Sequence, residues 1–222
     1  MSPQPPKTAI WRQGWLRGPA GSTADFPSTL KIGGSLLAWP DWPQLIRARV
    51  EEFDPASPPL LVVGGGRIVD GLRAIDAVAP QPVRIVHRLA IDLMGVTARL
   101  VAEAVGLPLV GDQRIASAAV LDVSLWIEAE GRGSRLPDGW DVTSDSIAAA
   151  VAEERGGTLV LAKSLPPPGV AAAWSLEQLA EAGWVDRFFP EAAKRIAAIA
   201  WCCPDSVPPP AVGGTGLECR NS

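Results

Sequence analysis

Four consecutive apolar residues, Leu60-Leu61-Val62-Val63, run directly into three glycines, Gly64-Gly65-Gly66. A run this short and unbroken reads as a strand buried on both faces, inside a mostly parallel sheet with helices on either side. A strand that ends in a glycine turn at a helix start also presents free backbone N–H groups and the positive helix end to an anion. The same arrangement recurs earlier. Leu30 and Ile32 alternate with Lys31, Gly33 and Gly34 follow, and Ser35-Leu36-Leu37 lead towards a helical segment. Lys31 is either a point charge beside that turn or a solvated residue.

The remaining segments alternate in the same way. Asp41 before Pro43 predicts a helix start, and that helix should end before Pro55. Ile68, Leu72 and Ile75 predict a second helix after the glycines. A long helix is expected over 87–105. Its stripe Leu89, Leu93, Val96 and Leu100 reads as core, with a dimer seam as the alternative. His87, at its start, reads as a cap or a solvated residue. Further strands are expected at 107–110, 119–123 and 158–161, the last ending at Ala162-Lys163. Helices are expected over 144–154, near 175–182 and over 190–200, and a last strand near Leu217. Strands alternating with helices imply an α/β fold, a three-layer α/β/α sandwich with a mostly parallel central sheet. Ligands in such sheets gather at the carboxyl ends of the strands, where both glycine turns and Lys163 fall. Residues 1–27, rich in Pro and Gly, read as a disordered or loosely docked extension that Trp11 and Trp15 tie to the body. Residues 28–222 read as a single domain.

Composition narrows the partners. The 222 residues carry a net charge of −4, which favours neither nucleic acid nor an anionic membrane surface as partner. No apolar run approaches the ~20 residues of a membrane-spanning helix. Three cysteines and one histidine make neither a disulfide framework nor a zinc site. The expected location is a reducing cytoplasm.

Three familiar motifs are missing: a P-loop, the third glycine of a dinucleotide fingerprint, where Val69 stands, and a nucleophile elbow. What remains is a set of anion binders: Lys31 with Gly33, Gly34 and Ser35; the cradle Gly64 to Gly66; Asp145 at a helix start in Thr143-Ser144-Asp145-Ser146; and Lys163 at a strand end. Phosphoryl transfer needs such a set, because the protein mainly positions and neutralises the moving group. Asp145 either holds the two ammonium groups or simply caps its helix.

Taken in order, Lys31-Ile32-Gly33-Gly34-Ser35, Val62-Val63-Gly64-Gly65-Gly66, Thr143-Ser144-Asp145-Ser146 and Leu161-Ala162-Lys163-Ser164 resemble the amino acid kinase family, over about residues 28–190. The resemblance implies the amino acid kinase fold, ATP as donor and Mg²⁺ carried on its phosphates, with no metal ligands of the protein's own. It implies catalytic roles for Lys31, Asp145 and Lys163. It places Gly33, Gly34, Ser35, Thr143 and Ser144 on the nucleotide phosphates and Gly64, Gly65 and Gly66 on the acceptor. Arg67, directly after those glycines, is either a clamp for the acceptor or a solvated helix-start residue. A homo-oligomer is expected. The segments 136–149, Gly183-Trp184-Val185-Asp186 and Phe189-Pro190 resemble an archaeal-type branch linked to methanofuran biosynthesis and one-carbon metabolism. Members of that branch resemble the kinase that converts (aminomethyl)furanmethyl phosphate to the diphosphate. The acceptor expected from this is a small phosphate monoester. The alternatives are a carboxylate kinase forming an acyl phosphate, and a binding or assembly protein that keeps the fold.

Overall fold

The computed structural model describes residues 11–18, 28–129, 132, 135–169 and 174–205. They build one seven-stranded sheet. In chain order its strands are β1 (Trp11–Arg17), β2 (Ser28–Ile32), β3 (Leu60–Val63), β4 (Leu109–Val110), β5 (Ala119–Leu121), β6 (Thr158–Ala162) and β7 (Ile199–Pro204). Across the sheet they run β1-β7-β6-β2-β3-β5-β4. All neighbours are parallel except β1, which lies antiparallel on β7. The helices are α1 (Trp42–Glu51), α2 (Gly66–Val78), α3 (Val83–Val105), α4 (Val123–Glu128), α5 (Ser144–Arg155), α6 (Leu176–Glu181) and α7 (Phe189–Ala192), and Gly34–Ala38 forms a 3₁₀ turn.

The β3 expectation holds residue for residue, and all four side chains are fully buried. Fully burying one Leu or Val contributes about 1.5–3 kcal/mol, so this strand anchors the sheet. Its residues alternate between two cores. Leu60 and Val62, with Leu159, Leu161 and Ile199, face α5 and α7. Leu61 and Val63, with Leu30, Ile32 and Val160, face α1, the 3₁₀ turn and the C-terminal half of α3. Helices therefore cover both faces. None of the helices in the described residues is long and apolar enough to cross a membrane.

Several expectations change. Residues 11–17 are a paired edge strand, with Trp11 and Trp15 packed on the second core, so this stretch docks through its backbone as well as its rings. The helix expected over 190–200 ends at Ala192, and Ile199–Pro204 is a strand beside β6. Ile199, Ala200, Cys202 and Cys203 are buried there, so the sheet outweighs the helical pattern of the alanines before them. The long helix begins at Val83, four residues early, which puts His87 inside it. Its stripe is turned the other way: Leu89, Val96 and Leu100 are exposed, while Ile91, Met94, Ala98 and Val101 form the core face. The strand expected near Leu217, the stretches 1–10 and 19–27, and Cys219 lie outside the described residues.

Candidate active site

β6, β2 and β3 are adjacent, and their carboxyl ends are level: Ile32 stands opposite Ala162 on one side and Val63 on the other. Gly33, Gly64 and Lys163 therefore leave the sheet side by side. Lys31 lies one residue inside β2. The pleat turns Leu30 and Ile32 towards α1, so Lys31 points to the α5 face. There its ammonium lies 2.8 Å from Oδ1 of Asp145, in the first turn of α5. Lys163 Nζ donates to the other oxygen, Oδ2, at 2.7 Å. One carboxylate thus bridges both lysines, with both partners of the Lys31 pair nearly inaccessible at 5% and 6% side-chain exposure.

The electrostatics follow from this bridge. Burial alone would raise the Asp145 pKa, but Lys163 and then Lys31 outweigh it and hold the carboxyl at about 2. Lys163 is pushed down to about 8, first by burial and then by the neighbouring Lys31 charge, with Asp145 pulling the other way. Lys163 also donates to the Trp184 carbonyl at 2.6 Å and sits over the Trp184 ring at 4.9 Å. An ammonium has three N–H donors. Two of those on Lys163 are committed in fixed directions, which leaves one for an incoming anion.

The N-terminus of α5 is held from a distance. Thr143, its N-cap residue, makes no side-chain cap bond. The Asp186 carboxylate takes that place. It accepts from the Thr143 N–H at 3.0 Å, the Thr143 hydroxyl at 2.8 Å, the Ser146 N–H at 3.0 Å and the Ser146 hydroxyl. Burial and the nearby Asp145 raise the pKa of Asp186. Asp145 is therefore the lysine bridge and not the cap, which leaves Asp186 as the residue that sequence reasoning passed over. Its signal was present in the Gly183-Trp184-Val185-Asp186 segment, to which no role had been given.

The two glycine turns touch. A Cβ on Gly34 would lie 2.2 Å from Gly66 N, and Gly66 itself has φ +53°, so neither position accepts a side chain without displacing the other. Gly33 N–H and Gly64 N–H donate to Ala162 O and Ile32 O, extending the ladder. The first-turn N–H groups of α2, which have no partner within the helix, remain for an anion. Ser35, in the first turn, shares a hydroxyl hydrogen bond of 2.9 Å with Ser164, just after the end of β6.

From this floor rises a cavity of about 250 Å³. It is lined by Gly34, Ser35, Gly64, Gly65, Gly66, Thr143 and Ser144 at one end and by Val69, Ile91, Met94, Val142 and Ile147 along its walls, with Asp70, Arg73, His87 and Trp140 also contributing. Arg67 is exposed and does not line it. Arg73, two turns further along α2, does. Its guanidinium lies over the Trp140 ring at 4.7 Å and pairs with Asp70 at 3.1 Å, and Trp140 donates to Asp76 at 2.9 Å. His87 is buried, with Nδ1 3.2 Å from both the N–H and the carbonyl oxygen of Gly139. It ties α3 to that loop and is neither a cap nor a solvated residue.

No protein-family description matches the sequence, and no curated protein matches it. Solved structures do. Uridylate kinase from Archaeoglobus fulgidus superposes with a TM-score of 0.50 at 14% identity, over 79% of this chain and 99% of that one. UMP kinase from Ureaplasma parvum gives 0.54 at 13% identity, over 82% and 91%. Aspartate kinase from Synechocystis gives 0.51 at 16% identity, over 82% of this chain and 41% of that one. The chain has the amino acid kinase fold. At these identities the match fixes the architecture, and the chemistry rests on the residues that the fold brings together.

Proposed function

We propose that this protein is a phosphotransferase that passes the γ-phosphoryl group of ATP to a small phosphate monoester, giving ADP and a diphosphate. The observation that carries the reading is the Lys31–Asp145–Lys163 bridge, buried beside two touching glycine turns at the level carboxyl ends of β6, β2 and β3. The ammonium groups neutralise charge on the moving phosphoryl group, and Asp145 holds both in place. An oxygen of the acceptor phosphate attacks the γ-phosphorus, and the bond from that phosphorus to the β-bridging oxygen breaks. The attacking oxygen carries no proton when the acceptor is a dianion, so no general base is required. Mg²⁺ carried by the nucleotide would offset charge on its phosphates, with no carboxylate cluster of the described residues needed to hold it.

The acceptor lies in the 250 Å³ cavity, with its phosphate on the first turn of α2 and its body against Met94, Ile91 and Val142. The far side of the cavity carries Asp70; Asp76, which accepts from Trp140, and Asp138, which approaches His87, stand close by. A molecule with a phosphate at one end and an amine at the other matches this polarity. The (aminomethyl)furanmethyl phosphate of methanofuran-type cofactor synthesis is one such compound. The expected site of action is the cytoplasm.

Self-association is part of the same reading. Among the described residues, nine of the ten exposed large apolar side chains lie on α2, α3 and α4. Ile85, Leu89, Val96 and Leu100 are spaced symmetrically about the middle of α3, so a second copy crossing antiparallel meets the same set of residues.

The test is ADP release across a panel of phosphate monoesters, amine-bearing aromatic ones included, beside glutamate, aspartate and acetylglutamate. Turnover is expected with the phosphates and not with the carboxylates. It should fall at least about tenfold, or about 1.4 kcal/mol of barrier, in Lys31→Ala and in Lys163→Ala. Activity confined to the carboxylates, or silence on both panels, overturns the assignment.

A further inference from the structure

The start of α5 could have been capped locally. Thr143 stands at the N-cap position, and a threonine hydroxyl normally accepts from an N–H of the first turn. Here that hydroxyl donates to Asp186, 43 residues further along the chain, and so do the Thr143 N–H, the Ser146 N–H and the Ser146 hydroxyl. Two residues before Asp186, the Trp184 carbonyl accepts from Lys163 Nζ at 2.6 Å. One short turn therefore grips the helix that carries Asp145 and the lysine that Asp145 must meet. A plain helix cap needs one or two such bonds and no charge. A half-buried carboxylate with four donors beside a second carboxylate is a costly way to end a helix, since each buried charge loses its hydration.

We infer that Asp186 is a positioning residue for the proposed transfer: it sets Asp145 between the two lysines and supplies a second negative charge on their protein side. The inference rests on the phosphotransferase reading for its kinetic consequence, and not for its electrostatic one. The titratable groups around Lys163 are Lys31 from β2, Asp145 from α5 and Asp186 from this turn. Arg187, the next residue after Asp186, is exposed and faces Asp141 at 3.7 Å. Asp186 acts on Lys163 in the same direction as Asp145, favouring the ammonium. If Asp186 only tied down a loop, its loss would lower stability and leave the lysine's titration where it was.

The experiment is a pH titration of the Lys163 side chain, followed by NMR of ¹³C-labelled lysine in the full chain, with Lys163→Met identifying the signal. It needs no acceptor. In Asp186→Asn the midpoint should fall by about one pH unit, the scale on which a neighbouring charge moves a buried group. Where an acceptor is turned over, kcat should fall with KM little changed, and the alkaline limb of the rate profile should move down with the lysine. Asp186→Glu keeps the charge and displaces α5. Its Lys163 midpoint should return towards the parent's while kcat stays low. An unmoved midpoint in a folded Asp186→Asn, or parental kcat in Asp186→Glu, overturns the inference. If no phosphate acceptor is turned over and the midpoint still moves, the kinase reading fails and the electrostatic role of Asp186 stands.

Discussion

Asp145→Asn removes one charge and almost no volume. At 2.7–2.8 Å and an effective dielectric constant of 20, each lysine–carboxylate pair is worth about 6 kcal/mol of Coulomb energy. Much of that is cancelled by the cost of burying the ions, and breaking such a buried pair by removing one partner costs about 3–5 kcal/mol. Lys163 relieves this by releasing a proton. Spread over 1.36 kcal/mol per unit, the loss corresponds to about 2–4 units. Lys163 starts at about 8, so it should move to about 6 or below. At pH 7.5 its charged fraction then falls from about three-quarters to about 3% or less, by ordinary titration from those values. Turnover should drop at least about 25-fold on this ground alone. The helix itself should survive, because Asp186 caps it and Asp145 does not. The destabilisation at Lys163 is limited to the cost of deprotonating an ordinary lysine at pH 7.5, about 4 kcal/mol. Two measurements decide: ADP release with the best phosphate acceptor, and the Lys163 titration midpoint in the variant. A folded Asp145→Asn protein with parental turnover and a midpoint still near 8 would show that the bridge plays no part in holding Lys163 charged.

Because Lys163 must be charged to act, kcat/KM should fall as pH rises through about 8, the value set by its burial. Stability should move oppositely at this residue: between about 8 and 10.5 the unfolded chain binds more protons, so the Lys163 contribution rises with pH, and chemical denaturation of Lys163→Met should lack that rise. At the acid end, the Asp145 contribution is present above about pH 4 and lost as pH falls towards 2, which melting curves of Asp145→Asn should not show. Asp70→Asn should raise the acceptor KM about tenfold, the loss of one charge-assisted contact to the amine, while Arg67→Ala leaves it within about twofold; equal effects would contradict the placement of the amine at the Asp70 end of the cavity. Gly34→Ala should separate the two turns and cost at least tenfold in kcat, about 1.4 kcal/mol, with a melting temperature to show that the fold persists. Leu89→Glu with Val96→Glu should leave a monomer by light scattering at concentrations where the parent is larger; an unchanged mass would remove the α3 stripe as an interface.

The parts of this molecule that could be read from its residues are those governed by local rules. β3 and β6 are short apolar runs with no competing pattern, and the glycine turns follow because few other residues tolerate their geometry. Lys31, Asp145 and Lys163 stood out because charged residues at strand and helix ends need a partner. What escaped depends on distant neighbours. The apolar stripe of α3 obeys helical spacing, yet the face that is buried is chosen by the strands beneath it, and α3 has enough apolar residues to offer two faces. Ile199–Pro204 follows a run of alanines that suits a helix, and only the vacant edge of β6 makes it a strand. Arg67 looked like the acceptor's clamp because it follows the glycines directly. The turn of α2 points it outward and brings Arg73 round to the cavity. Asp186 caps a helix whose N-terminus lies about 40 residues away in sequence, at a range that no local pattern reports.

The pairing of β1 with β7 has a consequence for how the chain is made. Arg12 and Cys203 stand opposite each other although 191 residues separate them. At about 5–20 residues per second, a ribosome needs roughly 10–40 s to deliver the second partner after the first has left the tunnel. Throughout that interval the strand carrying Trp11 and Trp15 has no edge to lie on, and once β6 is made its outer edge waits for β7. The sheet must close from its interior outward, with β2 and β3 pairing early and the antiparallel border sealed last. The segment from Trp11 to Arg17 is therefore the strand that waits longest for its partner, and its docking reports that β7 has been made.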